Sequence, residues 1–442
     1  MTPHPPTDQI QTIRIDAAAI ADAVSGVVTD ASVVIRRSPR TMTVLYAGPA
    51  GDCPIPDRAP DLTPDQTLRL PDRLLMPGLV NAHTHLDLSH IGPLHHDPGH
   101  GFVAWVDHIR SNRRQDDDSI ADAVRLGIER SIAGGTVAVG DIAGAPGGRL
   151  TDAPARTLGA SSLVGVSFLE FFGIGSSAPS AADRLSRFMR ERLPGIRASL
   201  KGSGVAFGLQ PHAPNTVDAG LYRWAVALAR SHDLALSTHL AETPEERRFI
   251  ERGDGPQREL LERVGVWDDS VLDRIGHGQH PVDHLLPVLA ERTMLCAHIN
   301  DAPDRAIAHL AATRTPVVYC PRASAYFGAA DHFGPHRYRD MLDGGVDVCL
   351  GTDSIVNLDT PDRISVLDEM RLLHRRDATP ARTLLTMATT AGARALGLDP
   401  TTVTFEPGTI LGLIAVPIDP GARDPWADAM AGESAPEQPI VI

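Results

Sequence analysis

The sequence predicts an α/β fold, a (β/α)8 TIM barrel with a small β-sandwich domain built from both termini. Short apolar runs alternate with helical segments between about residue 74 and residue 353, a pattern typical of parallel strands joined by crossover helices. Strand-like segments also stand at both ends of the chain. We therefore assign residues 1–73 and 401–442 to the small domain and residues 74–400 to the barrel.

The barrel strands are predicted from eight apolar runs. Eight parallel strands with intervening helices specify a closed barrel more naturally than an open sheet. Residues 243–246 read Thr-Pro-Glu-Glu, which offers a capping Thr, a Pro at the first helical position and a Glu three residues after the cap. A further helix is expected over residues 379–397. The eight runs are 74–82, 136–141, 163–170, 205–210, 234–239, 293–298, 316–320 and 346–353.

The predicted small domain consists of short strands broken by Gly and Pro turns. Residues 420–438 are rich in Pro, Gly, Ala and acids, and we expect a loose loop there. The four cysteines form no CxxC pair, so they are expected to pack in the interior rather than to bind metal. The predicted strands are 12–15, 32–37, 43–47, 409–417 and 439–442.

Composition excludes several classes of partner. The chain has 41 basic and 55 acidic residues and a net charge of −14, which opposes binding to nucleic acid and to anionic membrane surfaces. No segment approaches the ~20 apolar residues that cross a bilayer, and no cationic leader precedes an apolar run. We expect a cytoplasmic protein whose partner is a small-molecule substrate.

A pair of histidines ends the first predicted strand. In His83-Thr84-His85 the side chains of a strand alternate, so both imidazoles point the same way and can reach one metal ion. Two exposed histidines would show the same spacing. The pair alone therefore leaves both interpretations open.

Further polar residues recur at the ends of later predicted strands, namely His212, His239, His298 and Asp353. In a barrel those ends converge on one mouth, which is where the active sites of such barrels lie. Chemistry explains this recurrence better than packing does. The sequence thus predicts one metal site at the mouth.

Glu242 follows His239 by three residues and stands where a strand passes into the capped helix. A carboxylate there favours the helix N-terminus by a few tenths of a kcal/mol to about 1. The other interpretation is a general acid/base beside the metal. We favour the second, because the same strand supplies a predicted ligand.

Several motifs resemble the deaminase branch of the amidohydrolase superfamily, which includes aminofutalosine, S-adenosylhomocysteine, methylthioadenosine, guanine and cytosine deaminases and the triazine chlorohydrolases. The resemblance extends over essentially the entire chain. It specifies the superfamily more sharply than the substrate. The motifs are Pro77-Gly-Leu-Val-Asn-Ala-His83-Thr-His85, Pro211-His-Ala-Pro214, His239-Leu-Ala-Glu242, Cys320-Pro-Arg322 and Gly351-Thr-Asp-Ser354.

The resemblance implies a single divalent ion, Zn²⁺ first and Fe²⁺ as the alternative, held by His83, His85, His239 and Asp353. Such an ion lowers the pKa of a bound water to ~7. By the same resemblance Asp353 would take the water proton, His298 would hydrogen-bond the water, and Glu242 would protonate a ring nitrogen so that ammonia leaves.

The resemblance also bears on the number of metal ions and on the assembly. Two-metal members use a carboxylated lysine at the fourth strand, whereas the only lysine here is Lys201, before that strand. A lysine-bridged pair of ions is therefore disfavoured. Family members are often homodimers, so a homodimer is one expected assembly.

The residues of two motifs are similar to those of deaminases that act on adenosine-like molecules of the aminofutalosine or S-adenosylhomocysteine/methylthioadenosine type. His212 is the main predicted substrate contact, followed by Glu170 and Arg322, for which a salt bridge on the rim is the alternative. Gln210 and Ser354 are weaker candidates. Hydrolysis of another C–N or a C–halogen bond, and an inactive scaffold or binding protein, are the competing functions.

The segment 90–114 is a long connection with several histidines. Loop histidines without strand or helix registration are more often solvated, so we assign them no ligand role. Phe102-Val-Ala-Trp105 is expected to form part of a pocket roof over a flat heterocycle.

Overall fold

The structure, a computed structural model, describes residues 10–39, 41–54 and 62–438. The strand predicted at 439–442 lies outside the described residues. Among the described helices, none is both long and apolar enough to span a bilayer.

Fourteen strands are formed by the described residues. They are β1 (Gln11–Asp22), β2 (Gly26–Arg37), β3 (Met42–Pro49), β4 (Gln66–Pro77), β5 (Leu79–Thr84), β6 (Thr136–Ala143), β7 (Val164–Phe171), β8 (Val205–Pro211), β9 (Ala235–Leu240), β10 (Leu295–His298), β11 (Val317–Tyr319), β12 (Val348–Leu350), β13 (Gly408–Ile410) and β14 (Leu413–Pro417).

Sixteen α-helices lie within the same residues. They are α1 (Phe102–Asn112), α2 (Asp117–Ala133), α3 (Ala153–Gly159), α4 (Ala178–Leu200), α5 (Ala219–His232), α6 (Pro244–Arg252), α7 (Pro256–Arg263), α8 (Pro281–Glu291), α9 (Asp304–Thr313), α10 (Pro321–Tyr326), α11 (Ala329–Phe333), α12 (Tyr338–Asp343), α13 (Val366–Asp377), α14 (Ala381–Ala388), α15 (Thr390–Ala395) and α16 (Pro425–Ala431).

Strands β5 to β12 form one eight-stranded sheet in which each strand neighbours the next along the chain. The two ends of this sheet meet, because the carbonyl oxygen of His83 accepts the backbone N–H groups of Thr352 and Asp353, each at 3.1 Å. Thr84 and Asp353 form a parallel bridge at the same place. The predicted TIM barrel is confirmed.

A second sheet of six strands is built from both ends of the chain, in the order β13-β3-β2-β1-β4-β14. Strands β1 and β2 pair antiparallel from Gln11↔Arg37 to Asp22↔Gly26. Alternating apolar residues of β1, β2 and β3 bury one common core with residues of β13 and β14, as expected when one face of each strand packs inward. This sheet confirms the predicted small β domain.

Three local predictions were wrong. The strands β1, β2 and β3 are longer than the predicted strands 12–15, 32–37 and 43–47. The expected loop 420–438 contains α16, whose first turn is capped by the Asp424 carboxylate accepting from the Ala427 N–H at 3.0 Å. The helix expected over 379–397 is broken at Thr389, where the backbone turns to φ −133° and ψ −90°, so α14 and α15 are separate.

The chain divides into two compact units. One contains the described residues up to 80, residues 131–138 and the described residues from 365 onward, and the other contains residues 81–130 and 139–364. The predicted site residues all belong to the second unit. The cysteines are free and buried, as predicted.

Candidate active site

The structure brings the predicted metal ligands together at the carboxyl ends of the barrel strands. His83 lies in β5, His239 in β9, and Asp353 follows β12. The Nε2 atoms of His83 and His85 are 3.8 and 3.4 Å from Asp353 Oδ1. One nitrogen from each of the three histidines lies within 4.8 Å of those of the other two. Four donors from the ends of three strands thus face one point.

Four residues of this region have a positive φ, although none is glycine. Asp353 has φ 57°, His298 has φ 76°, Ile299 has φ 49° and Ala241 has φ 51°. Such conformations cost on the order of 1–3 kcal/mol each and persist only where the surroundings impose them. Asp353 is held on both sides, because Thr84 Oγ1 donates to its carbonyl at 2.9 Å and Asn357 Nδ2 donates to its Oδ2 at 2.6 Å. The remaining oxygen, Oδ1, faces the histidines.

The histidines are neutral and fit a divalent cation. Burial, and after it the neighbouring His239, keep the pKa of His83 and of His85 well below the usual range, so the rings carry lone pairs. His239 Nδ1 donates to the His212 carbonyl at 3.0 Å, which leaves Nε2 as the ligand atom. In the described part of the chain both ring nitrogens of His83 are buried without a hydrogen-bond partner, which fits a side chain that binds a metal ion.

Glu242 lies beside this cluster. Its Oε1 is 3.5 Å from His298 Nε2, and ligand atoms of Glu242, His298 and Asp353 lie within 4.8 Å of one another. Burial, followed by the charge of Asp353, raises the pKa of Glu242 well above its usual value. A carboxyl group that keeps its proton near neutral pH can donate it to a basic atom.

The backbone around Glu242 is held by two further side chains. Glu246 Oε1 accepts from the Ala241 N–H at 2.9 Å, and its Oε2 accepts from the Glu242 N–H at 2.7 Å. Asn300 Nδ2 donates to the Glu242 carbonyl at 3.0 Å. The capping Thr243 accepts from the Glu246 N–H as predicted, but the Glu246 carboxylate reaches the two residues before the cap instead of the cap itself.

Replacing Glu246 by Ala is expected to destabilise the protein by about 2–5 kcal/mol, because two buried N–H groups lose their acceptor. Thermal unfolding would measure the loss. Glu262→Ala is the matched control, since Glu262 makes only a surface ion pair with Arg258 and should cost less than about 1 kcal/mol. Equal melting temperatures for the two variants would contradict this role of Glu246.

Two of the three predicted substrate contacts adjoin the metal cluster. His212 Nδ1 is 2.7 Å from Thr216 Oγ1, and His212 Nε2 is 4.0 Å from Glu170 Oε1. Burial raises the pKa of Glu170 to about 7, although Arg113 opposes this shift. The third, Arg322, does not line the cavity and donates instead to Asp359 at 3.2 Å.

A cavity of about 680 Å³ opens from the cluster, which is the size of sites for small organic ligands. His85, His239, Glu242, His298 and Asp353 line its floor. The helix α1 forms part of its wall. Phe102 and Trp105 both line the cavity, as the sequence predicts, and their rings stack with centroids 5.4 Å apart.

The loop histidines lie elsewhere. His90 bonds the carbonyls of Asp87 and Asn112, and the side chain of His100 is 75% exposed. His96 stacks on Tyr326. None of these rings lines the cavity within the described residues.

Sequence reasoning missed a buried ion pair beside the cavity. Arg113 Nε donates to Asp87 Oδ2 at 3.0 Å, and Arg113 Nη1 is 3.8 Å from Glu170 Oε2. No local pattern joins Arg113 to Asp87, which are 26 residues apart. Asn357 was also missed, but its place four residues after Asp353 is a signal that could have indicated a short-range contact.

Asp141 is expected to make stability depend on pH. Burial, followed by the charge of Asp87, raises its pKa to about 7. The folded protein therefore binds this proton more tightly than the unfolded chain. The contribution of this proton to the free energy of unfolding is complete below about pH 4. It is lost as pH rises to about 7, at up to about 1.4 kcal/mol per pH unit.

Asp141→Asn should consequently flatten the fall in melting temperature between pH 4 and pH 7. The exposed Asp122 on α2 provides the control, because Asp122→Asn should leave the wild-type profile unchanged. Parallel profiles for wild type and Asp141→Asn would show that the Asp141 proton does not contribute.

The chain is similar to several known proteins. The model of the amidohydrolase family matches residues 74–436. Aminodeoxyfutalosine deaminase of Deinococcus radiodurans is 29% identical over 340 residues, which are 73% of each chain. A 5-methylthioadenosine/S-adenosylhomocysteine deaminase of Moorella thermoacetica is 27% identical over 387 residues, 84% of this chain and 78% of that protein.

Solved structures share the fold. Helicobacter pylori aminofutalosine deaminase aligns with a TM-score of 0.72 and 20% identity, over 96% of this chain and 97% of that chain. A zinc-bound adenosine deaminase from Xanthomonas campestris aligns with a TM-score of 0.63 and 21% identity, over 95% of this chain and 86% of that chain. At these identities the similarity establishes the fold alone.

Proposed function

Since this chain belongs to the amidohydrolase family, we propose that it is a metal-dependent deaminase that hydrolyses an adenosine-like substrate and releases ammonia. The observation that carries the proposal is the cluster of three buried histidines and Asp353, with Glu242, whose pKa burial raises, beside it. The names of the relatives, which are deaminases of aminodeoxyfutalosine, 5-methylthioadenosine/S-adenosylhomocysteine and 5'-deoxyadenosine, support the same substrate class.

The proposed ligands are His83, His85, His239 and Asp353. Three imidazole nitrogens and one carboxylate suit Zn²⁺, which is also the ion in the neighbouring adenosine deaminase structure, and Fe²⁺ is the alternative. An ion held there would supply Lewis-acid activation of a water molecule. The single lysine, Lys201, follows α4 away from the predicted strand ends, which supports one ion rather than a lysine-bridged pair.

The proposed roles of the other groups follow from their positions. Asp353 Oδ1 faces the cluster while Asn357 holds Oδ2, so Oδ1 accepts a proton from the attacking water. His298 Nε2 hydrogen-bonds that water. Glu242 donates its proton to a ring nitrogen of the substrate, which makes the carbon bearing the amino group electrophilic. The proton that Asp353 accepted passes to the amino group, which leaves as ammonia, while the proton from Glu242 stays on the ring nitrogen. The water oxygen remains on the carbon as the new carbonyl, and its last proton returns to Glu242.

His212 and Glu170 are the proposed substrate contacts. Both line the cavity and adjoin His239, so they lie beside the proposed metal ligands. Their neutral forms offer a nitrogen and a carboxyl group to the polar edges of a nucleoside.

Ammonia release from a panel of aminated purine nucleosides tests this proposal. We expect turnover of adenosine-type compounds by the metal-loaded enzyme. The panel should include a chlorotriazine and a cyclic amide, because displacement of halide or hydrolysis of an amide is the competing chemistry. Turnover of those compounds alone would overturn deamination, and no turnover of any compound would favour an inactive scaffold.

A further inference from the structure

His298, the proposed hydrogen-bond partner of the attacking water, lies where the backbone is strained. It has φ 76°, and the next residue, Ile299, has φ 49°. A positive φ is uncommon for residues other than glycine and is a marked exception for a β-branched residue such as isoleucine. Two such residues in succession persist only where the surroundings impose the conformation. The contacts of this segment therefore decide where the His298 imidazole lies.

The peptide group between His298 and Ile299 is held from both sides. Its N–H donates to the Leu240 carbonyl at 3.0 Å, at the end of β9. Its carbonyl oxygen accepts from His336 Nε2 at 2.9 Å, and His336 lies between α11 and α12. The ring nitrogen must be the donor, because a carbonyl oxygen only accepts. A side chain 38 residues away in the sequence thus fixes one side of this peptide group.

His336 is itself fixed by packing. Its ring stacks on that of Tyr319, with centroids 3.7 Å apart and planes 13° apart. Tyr319 is the buried last residue of β11, so the stack fixes His336 relative to the barrel. The next residue, Arg337, donates from Nη1 to the Ala302 carbonyl at 3.0 Å. A side chain locked by such contacts is able to hold another group in a defined position.

The imidazole of His298 faces the proposed proton donor. It is buried, and its Nε2 lies 3.5 Å from Glu242 Oε1. Its ring is nearly parallel to that of His239, with centroids 5.4 Å apart. His336 is not among the described residues that line the cavity. It can therefore act on the reaction only through His298.

We propose that His336 is a positioning residue, which holds the His298 carbonyl and thereby directs the His298 imidazole at the attacking water beside Glu242. This inference rests on the proposed function. A misplacement of about 1 Å can cost about 100-fold in rate. His298 is neither a proposed metal ligand nor a proposed substrate contact. Loss of the bond from His336 should therefore lower kcat and leave KM and metal content unchanged.

Two substitutions separate the hydrogen bond from the packing. Phenylalanine keeps a ring that can stack on Tyr319 but has no N–H, whereas glutamine keeps an N–H donor but has no ring. His336→Phe should lower kcat about 10–100-fold, and His336→Gln should stay within about threefold of wild type. Both are measured on the best substrate among adenosine, 5'-deoxyadenosine and 5'-methylthioadenosine. His374→Phe is the matched control, because His374 also lies beside an aromatic ring, that of Trp426, and does not line the cavity.

A double-mutant cycle tests whether the effect passes through His298. His298→Ala removes the imidazole that His336 is proposed to direct. In that background His336→Phe should change kcat by less than about twofold, whereas independent effects would multiply. A purely structural role of His336 would produce the same loss in both backgrounds.

The outcomes separate this proposal from the deaminase itself. An unchanged kcat in His336→Phe, or the same loss with and without the His298 imidazole, overturns the positioning role and leaves the deaminase intact. Equal losses in His336→Phe and His336→Gln, or a fall in the metal content of His336→Phe, would overturn it as well. No deamination of any nucleoside by the wild-type enzyme overturns both proposals.

Discussion

Replacement of Glu242 by Gln is expected to lower kcat about 10²–10⁴-fold, the range attributed to a positioned general acid/base. Glutamine keeps the shape of the side chain, whose carboxylate lies 3.5 Å from His298 Nε2 in Glu242, but it has no acidic proton to transfer to a ring nitrogen. Burial, followed by the charge of Asp353, raises the pKa of Glu242 well above its usual value, which favours the protonated form of the carboxyl group. Ammonia release under substrate saturation would measure the loss.

Glu245→Gln is the matched control for this variant. Glu245 Oε1 accepts from the Phe102 N–H at 2.9 Å, and a glutamine carbonyl can accept the same bond. The control should therefore turn over nearly as fast as wild type. Metal content must stay unchanged in Glu242→Gln, because Glu242 is proposed to act on substrate and not as a ligand. An active Glu242→Gln enzyme would exclude Glu242 as the proton donor.

Loss of His83 is expected to remove both the bound metal and the activity. His83→Ala should lower metal content from about one equivalent to near zero. Turnover should fall by more than the 10–100-fold that changes beyond the ligands themselves produce. Elemental analysis of the purified protein and ammonia release measure the two quantities on the same sample.

Two further measurements guard against a simple folding failure of His83→Ala. Wild-type protein stripped by a chelator should lose activity and regain it with Zn²⁺. His100→Ala, at an exposed histidine of the first long loop, should retain metal and turnover. A His83→Ala protein that keeps its metal would contradict the proposed ligand set.

The cluster of proposed metal ligands was predictable, because each residue's place in it follows from its position along a strand. Side chains alternate along a strand, so His83 and His85 could be placed on one side from two letters of sequence. The convergence of strand ends then gathered His239, His298 and Asp353. The structure brings all five together.

The pocket wall was less predictable because its determinants are not local. Helix α1 is preceded by Gly101, which offers no capping side chain. The Phe102 N–H donates instead to Glu245, 143 residues away. The segment therefore resembled a loop, although its role as a roof was expected. The carboxylate of Glu246 departs from the usual capping pattern because the left-handed turn at Ala241 presents other N–H groups.

The seam where the barrel closes joins the first and last of its eight strands through His83 and Asp353, and both residues also belong to the proposed ligand set. Any ion bound there would clamp this seam from the side-chain face while the backbone hydrogen bonds hold it from within. Metal binding and barrel closure are then thermodynamically linked, since an ion that binds only the closed barrel stabilises the closed form by mass action. Depletion of the metal would consequently weaken the closure of the barrel in addition to removing the Lewis acid.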